Sequence, residues 1–160
     1  MTHGIISAPQ PEAVEAGALA FKAGGNAIDA AIACALVQTA VDPQMCGIAG
    51  FGSMHLYLAE RNQHLLLDFH GRAPKAVTPD MWDGLIEHEA EDGFGFILKG
   101  RVNEVGYGSI TTPMSLRAYD EALKRFGTKD IAELLAPAID YCGNGFMVRP
   151  HVAYFWNVQE

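Results

Sequence analysis

Apolar and polar positions alternate along this chain with two periods, one helical and one of two. Between Glu12 and Lys22 the apolar Val14, Ala18 and Phe21 keep helical spacing, while Glu12, Glu15 and Lys22 share another face and Gly24-Gly25 supplies a stop. An amphipathic helix is expected there. The short apolar run over residues 4–8, closed by Pro9 and Pro11, reads as a strand or an extended lead-in. Residues 26–39 begin with Asn26, a good N-cap, and continue through Ala30, Ala31, Ile32, Ala33, Cys34, Ala35, Leu36 and Val37, apolar on every side. Such a helix has to be buried. Its alanines leave room for another element, most simply a sheet, to approach its backbone.

After Asp42-Pro43 comes Cys46-Gly47-Ile48-Ala49-Gly50-Phe51-Gly52, whose glycines allow backbone angles or close contacts that a Cβ would forbid. Residues 54–59 and 64–69 then read as two strands around the turn Glu60-Arg61-Asn62-Gln63. A plain four-residue hairpin loop there would set His55 opposite Asp68. Thr78-Pro79-Asp80-Met81-Trp82 has the cap and proline of a helical turn, and the stretch onward to Gly108 reads as loop, acidic from Glu87 to Asp92 and then glycine-rich. Thr112-Pro113 opens a helix carrying Leu116, Tyr119, Leu123 and Phe126 to Gly127. Residues 131–135 and 137–142 read as a helical pair, with Pro137 in a first turn and Gly143-Asn144-Gly145 as the stop. A last helix starts at Pro150 and is strongly apolar through Val158, and the chain stops at Glu160 with no terminator. That pattern is expected of a segment cut from something longer.

The length, 160 residues, suits one domain or the front part of a larger one. Hydrophobic residues at 49% and charged residues at 19% place the chain among folded globular proteins. The net charge of −8 sets the surface field against phosphate backbones and anionic lipid, so neither nucleic acid nor a membrane surface is an expected partner. The amino terminus has neither a basic leader nor an apolar signal core, and the odd number of cysteines, Cys34, Cys46 and Cys142, lacks CxxC spacing. A reducing, cytoplasmic setting is therefore expected, without structural zinc.

Candidate chemistry is sparse. The glycine cluster reads G-x-x-G-x-G and precedes a strand, so it is read as tight backbone packing rather than as a dinucleotide site. Cys46 beside it is a candidate nucleophile without an assignable base, against the alternative of an inert thiol. His88 lies among Glu87, Glu89, Glu91 and Asp92, more simply a solvated acidic loop than a metal site. His55 with Asp68 would make an orienting pair, or simply a half-buried polar pair. Asp68-Phe69-His70-Gly71-Arg72-Ala73-Pro74 is more informative, because it sets an acid, an imidazole and a guanidinium where an apolar strand opens into a loop. The Arg72 fork suits a substrate carboxylate, or equally a salt bridge to a nearby acid.

Several of these segments together resemble the γ-glutamyltranspeptidase family. They are Gly4-Ile5-Ile6-Ser7-Ala8, Pro11-Glu12-Ala13 with Glu15-Ala16-Gly17, and above all Ala23-Gly24-Gly25-Asn26-Ala27-Ile28-Asp29-Ala30-Ala31-Ile32-Ala33. Cys46 to Gly52, Asp68 to Pro74, Ala76 to Met81, Leu134 to Ile139 and Gly145-Phe146 continue the match in order over nearly the whole chain. The resemblance implies an α/β (α+β) fold, the amino-terminal part of a four-layer αββα N-terminal-nucleophile hydrolase, with residues 1–160 forming a single segment of the large subunit. It implies acyl transfer by the amino-terminal threonine of a small subunit released from the precursor by self-cleavage, and no cofactor. That threonine would lie beyond residue 160, so no residue here is named as catalytic. The partners implied are the rest of the large subunit, the small subunit and a small carboxylated amide substrate.

Members of that family typically read Asp-x-Arg-Glu-x-Ala-Pro at the strand end, the arginine resembling a clamp for the glutamyl α-carboxylate. Counting back from Ala73-Pro74, the arginine falls on His70 and the glutamate on Gly71, with Arg72 two positions further on. His70 and Arg72 are therefore the substrate-binding candidates. The departure leaves open a related amidohydrolase that is not specific for γ-glutamyl groups, and a binding domain that kept the scaffold and takes up a small anion.

Overall fold

The computed structural model describes residues 4–157, so the readings of residues 1–3 and of Val158 lie outside the described residues. Its elements are α1 (Pro11–Lys22), α2 (Ala27–Val41), β1 (Ser53–Leu58), β2 (Gln63–Asp68), β3 (Ile86–Glu89), β4 (Phe96–Leu98), α3 (Ser115–Phe126), α4 (Ile131–Asn144) and α5 (Pro150–Asn157). Helices and small antiparallel sheets are segregated, the α+β arrangement expected. The chain divides into two compact units. One holds the chain up to Phe69 and from Met114 onward, and the other is His70–Pro113.

In the first unit α1 starts with Pro11 at a first-turn position and Glu12 beside the positive end of the helix dipole. Its buried face is Ala13, Ala16, Gly17 and Ala20, not the Val14, Ala18 and Phe21 stripe, which is half-buried on the flank. The reason is close approach. A Cβ on Gly17 would stand 2.9 Å from the Ala30 carbonyl oxygen, so α2 lies against α1 where side chains are smallest. The run over residues 4–8 forms no strand, and its Ile6 side chain fills the remaining space above Gly17.

Helix α2 is the core element. Ala30, Ile32, Ala33, Cys34, Leu36, Val37 and Val41 are buried among residues of α1, α3 and α4. Helices, not a sheet, therefore exploit its small side chains, and the β1–β2 hairpin adds only Met54 and Leu67 to the edge of this cluster. Ala31 is the exposed exception to the all-round apolar pattern. Helix α4 runs unbroken through Pro137, whereas two helices were expected. Leu134 and Ala138 are buried on either side of the proline, and Glu133, whose carbonyl loses its partner, is exposed where water can replace it.

Strands β1 and β2 pair as expected, but two residues out of the expected register. His55 faces Leu66 and Ser53 faces Asp68. Ala59 is drawn into a short 3-10 turn closed by Asn62 N–H to the Ala59 carbonyl at 3.1 Å, and Asn62 is left-handed at φ 46°, so pairing begins at Leu58–Gln63.

In the second unit Thr78 to Leu85 form successive turns instead of a helical turn, with Met81, Asp83 and Leu85 each donating to a carbonyl three residues back. The stretch read as loop contains the β3–β4 hairpin. All of β3 is exposed, and Leu98 on β4 is buried. A strand of Ile-Glu-His-Glu has no alternating apolar face to betray it.

Candidate functional site

Strand β2 ends at Asp68, and Phe69 next to it is 7% exposed. Phe69 N–H donates to the Gly52 carbonyl at 3.0 Å, and a Cβ on Gly52 would stand 3.2 Å from the Phe69 ring. Gly50 is tighter still, its missing Cβ lying 2.9 Å from the Gly47 carbonyl oxygen. The Gly50 carbonyl accepts from Met114 N–H at 3.1 Å and Ser115 N–H at 3.2 Å, which satisfies donors at the start of α3. None of Gly47, Gly50 and Gly52 is left-handed. The glycine cluster is thus tight packing that fixes the exit of β2 and the start of α3, as read from the sequence.

His70 and Arg72 lie in the second unit and both are exposed. The Arg72 backbone is pinned by an antiparallel bridge, its carbonyl accepting from Thr112 N–H at 2.9 Å. Its guanidinium forms no ion pair among the described residues, so the salt bridge that the sequence equally allowed is not made there. The arrangement leaves a pinned main chain carrying an exposed cationic fork, which suits capture of a carboxylate.

The other candidates separate. His55 and Asp68 are not partners; His55 meets His64 instead, Nε2 to Nδ1 at 3.2 Å. Cys46 is not an activated thiol. Its Sγ donates to the Asp42 and Gln38 carbonyls at 3.4 and 3.6 Å, and burial, with the Asp42 charge, pushes its pKa up, away from the thiolate. His88 stands on exposed β3, and no cluster of three metal-ligating side chains occurs among the described residues.

Two polar arrangements were missed. Asp29 is fully buried and accepts from Asn26 N–H at 2.7 Å, Thr128 Oγ1–H at 2.7 Å, Thr128 N–H at 2.9 Å and Lys129 N–H at 3.1 Å. Burial raises its pKa, but the bonds from Thr128, Asn26 and Lys129 outweigh this and hold it below the ordinary aspartate value. The signal was present: Asn26 followed three residues later by an acid is a capping-box spacing. The second arrangement links Gln10, Gln38 and Asp42, all buried, with Gln10 Nε2–H donating to Asp42 Oδ2 at 2.9 Å and lying 2.7 Å from His151 Nε2. Residues so far apart in the chain carried no local signal.

Comparison with known proteins places this scaffold. The family model described as gamma-glutamyltranspeptidase matches residues 13–160. The chain belongs to that family. It is 39% identical over 152 residues to the acylase ACY 1 proenzyme of Pseudomonas sp. (strain V22), covering 95% of this chain and 26% of that protein. To the glutathione hydrolase proenzyme of Bacillus subtilis (strain 168) it is 33% identical over 145 residues, covering 91% of this chain and 23% of that protein. The gamma-glutamyltranspeptidase of Helicobacter pylori superposes with a TM-score of 0.83 at 29% identity, over 97% of this chain and 42% of that one. The chain thus spans about a quarter of the length of the relatives it matches in sequence.

Proposed function

We propose that this chain forms core and substrate-pocket structure of an amidohydrolase that cleaves a small carboxylated amide through an acyl-enzyme on a threonine outside these residues. Arg72 binds the substrate carboxylate, and His70, two residues earlier, lines the same stretch. The observation that supports this most is the pinned Arg72 main chain, whose guanidinium forms no ion pair among the described residues, in a family that includes an acylase proenzyme and a glutathione hydrolase proenzyme. Self-cleavage of the precursor supplies the nucleophile, whose own α-amine takes the proton as the hydroxyl attacks.

Specificity beyond γ-glutamyl amides is the favoured form of this reading. Where family members carry arginine and glutamate this chain has His70 and Gly71, and the acylase proenzyme is more similar to it than the glutathione hydrolase, at 39% against 33% identity. The test is hydrolysis by the intact, processed protein of paired substrates, γ-glutamyl amides and acyl amides whose carboxylate lacks the neighbouring ammonium, with trapping of the acylated threonine by mass spectrometry. Turnover of either class with a trapped acyl group supports the reading, and the faster class decides specificity. No turnover and no acylation, with tight retention of a small carboxylate, would favour the binding-domain alternative.

A further inference from the structure

The Arg72 main chain is held by Thr112, whose N–H donates to the Arg72 carbonyl at 2.9 Å in an antiparallel bridge. The sequence presets that partner. Thr112 is β-branched and stands before Pro113, and both properties turn it toward the extended backbone that such a bridge needs. Pro113 itself brings no N–H to compete for the Arg72 carbonyl. Helix α3 begins only at Ser115, so Thr112-Pro113 is a strap ahead of the helix rather than its first turn. Three residues before Arg72, Phe69 N–H donates to the Gly52 carbonyl at 3.0 Å, and two residues after Thr112, Met114 N–H donates to the Gly50 carbonyl at 3.1 Å. With Phe69 and Met114 tied to neighbouring glycines, the bridge closes over a few residues on each side, and the entropy it costs is small.

Resting on the reading of Arg72 as the carboxylate-binding group, we propose that Thr112 is its positioning residue. The main-chain bond from Thr112 sets where the guanidinium fork stands, and with it the affinity for the substrate carboxylate. Thr112 touches no substrate and acts through Arg72 alone. A bidentate contact between guanidinium and carboxylate needs both partners aligned, and a displacement of about 1 Å is enough to cost up to about a hundredfold. The role belongs to the Thr112 main chain and not to its hydroxyl, because the bond to Arg72 comes from the backbone N–H.

The test is steady-state kinetics of the intact, processed protein on glutaryl- and γ-glutamyl-4-nitroanilide, with the carboxamide analogue of each as the uncharged probe. The variants are Arg72→Ala, Thr112→Pro, Thr112→Val and the double variant Arg72→Ala/Thr112→Pro, each checked for folding by circular dichroism. Thr112→Pro deletes the N–H, and Thr111 before it lies outside any helix, so a proline fits there. The expected result in Thr112→Pro is a KM for the charged anilide higher by about tenfold, with kcat and the carboxamide kinetics unchanged. Thr112→Val, which keeps the N–H, should match the parent, and Thr112→Pro should add nothing to Arg72→Ala. An additive rise in the double variant, or an equal rise on charged and uncharged probes, would overturn the proposal, because Thr112 would then act on the fold and not through Arg72. A parent-like KM in Thr112→Pro beside a raised one in Arg72→Ala would overturn it too, while leaving the Arg72 reading standing. No turnover of either anilide by the parent, or no effect of Arg72→Ala, removes that reading and this proposal with it. If Thr112→Pro does not fold, Thr112→Gly, which keeps the N–H but loosens the extended preference, takes its place, with a smaller rise and the same non-additivity expected.

Discussion

The Asp29 carboxylate accepts the Thr128 hydroxyl proton at 2.7 Å, joining residues 99 positions apart. The same carboxylate closes the capping box of α2, and Asn26 Nδ2–H in turn donates to the Phe126 carbonyl at 2.7 Å. Gly25 and Gly127 leave the space, since a Cβ on either would lie within 3.0 Å of an Asp29 side-chain atom. The Gly-Gly-Asn-x-x-Asp stretch that most strongly carries the family resemblance is therefore a joint between α2 and the α3–α4 link. Its chemistry is that of folding.

Asp29→Ala should cost about 3 kcal/mol or more, because it leaves several buried donors without an acceptor. Asp29→Asn, which keeps one acceptor oxygen, should cost less. The pH dependence has a definite sign. The folded pKa lies below the ordinary aspartate value of 3.8, so this stabilisation is complete above that value and is lost as pH falls through the folded pKa. Urea titrations between pH 2 and 7 should show a shallower acid loss of stability in Asp29→Asn than in the parent. Identical slopes would mean that the carboxylate is not ionised in the folded protein.

The Glu12–Arg149 pair offers a contrast. The oxygen and nitrogen are 2.7 Å apart, but the arginine side chain is 40% exposed and the glutamate 15%. The Arg149 hydrogen bond lowers the Glu12 pKa against a smaller opposing effect of burial, so its contribution too disappears as pH falls below the usual carboxylate range. Solvent screening keeps it small. A double-mutant cycle on Glu12→Gln and Arg149→Met at low and high salt should give a small coupling that shrinks with salt; a coupling unchanged by salt would contradict this account.

Much of this architecture was legible locally. Asn26 and the apolar run after it announce α2, and the period-two runs on either side of Asn62 announce the first hairpin. Register was not legible, because it depends on whether Ala59 joins the strand or the turn, and that is settled by the left-handed Asn62. Nor was the β3–β4 hairpin, whose first strand presents Glu87, His88 and Glu89 entirely to solvent. Pro137 misled for another reason: tertiary anchoring at Leu134 and Ala138 overrides a local helix breaker. For the proposed site, Arg72 is a candidate legible in the sequence because a strand end with a guanidinium is a local pattern. The Gln10–Asp42–His151 arrangement exists only once the chain has folded.

Glycines separate into those that are required and those that are not. Gly17→Ala would set its Cβ 1.9 Å from Ile6 Cδ1 and 2.9 Å from the Ala30 carbonyl oxygen, so α1 must lift from α2 at a cost of about 1–3 kcal/mol. Gly143, within α4, has nothing within 4 Å of its Cβ position, and Gly143→Ala should stabilise by about 0.5–1 kcal/mol. Thermal melts of the two variants should move in opposite directions. A neutral Gly17→Ala would show that the helix contact is looser than described.

The proposed carboxylate contact makes a sharper demand. Arg61 is an apt control for Arg72, since it is exposed in the turn at the far end of the β1–β2 hairpin from the exit at Asp68. Arg72→Ala in the intact protein should weaken binding of a carboxylated substrate by about one to two decades, matching about 1.5–3 kcal/mol for a charge-assisted contact. Arg61→Ala should leave it unchanged. Arg72→Lys separates charge from shape: a lysine keeps the positive point but loses the bidentate fork, so it should restore only part of the loss. The amide analogue of the same substrate, lacking the negative charge, should bind parent and Arg72→Ala alike. If Arg61→Ala and Arg72→Ala weaken binding equally, the effect is the long-range field of one lost positive charge, and Arg72 makes no direct contact with the carboxylate.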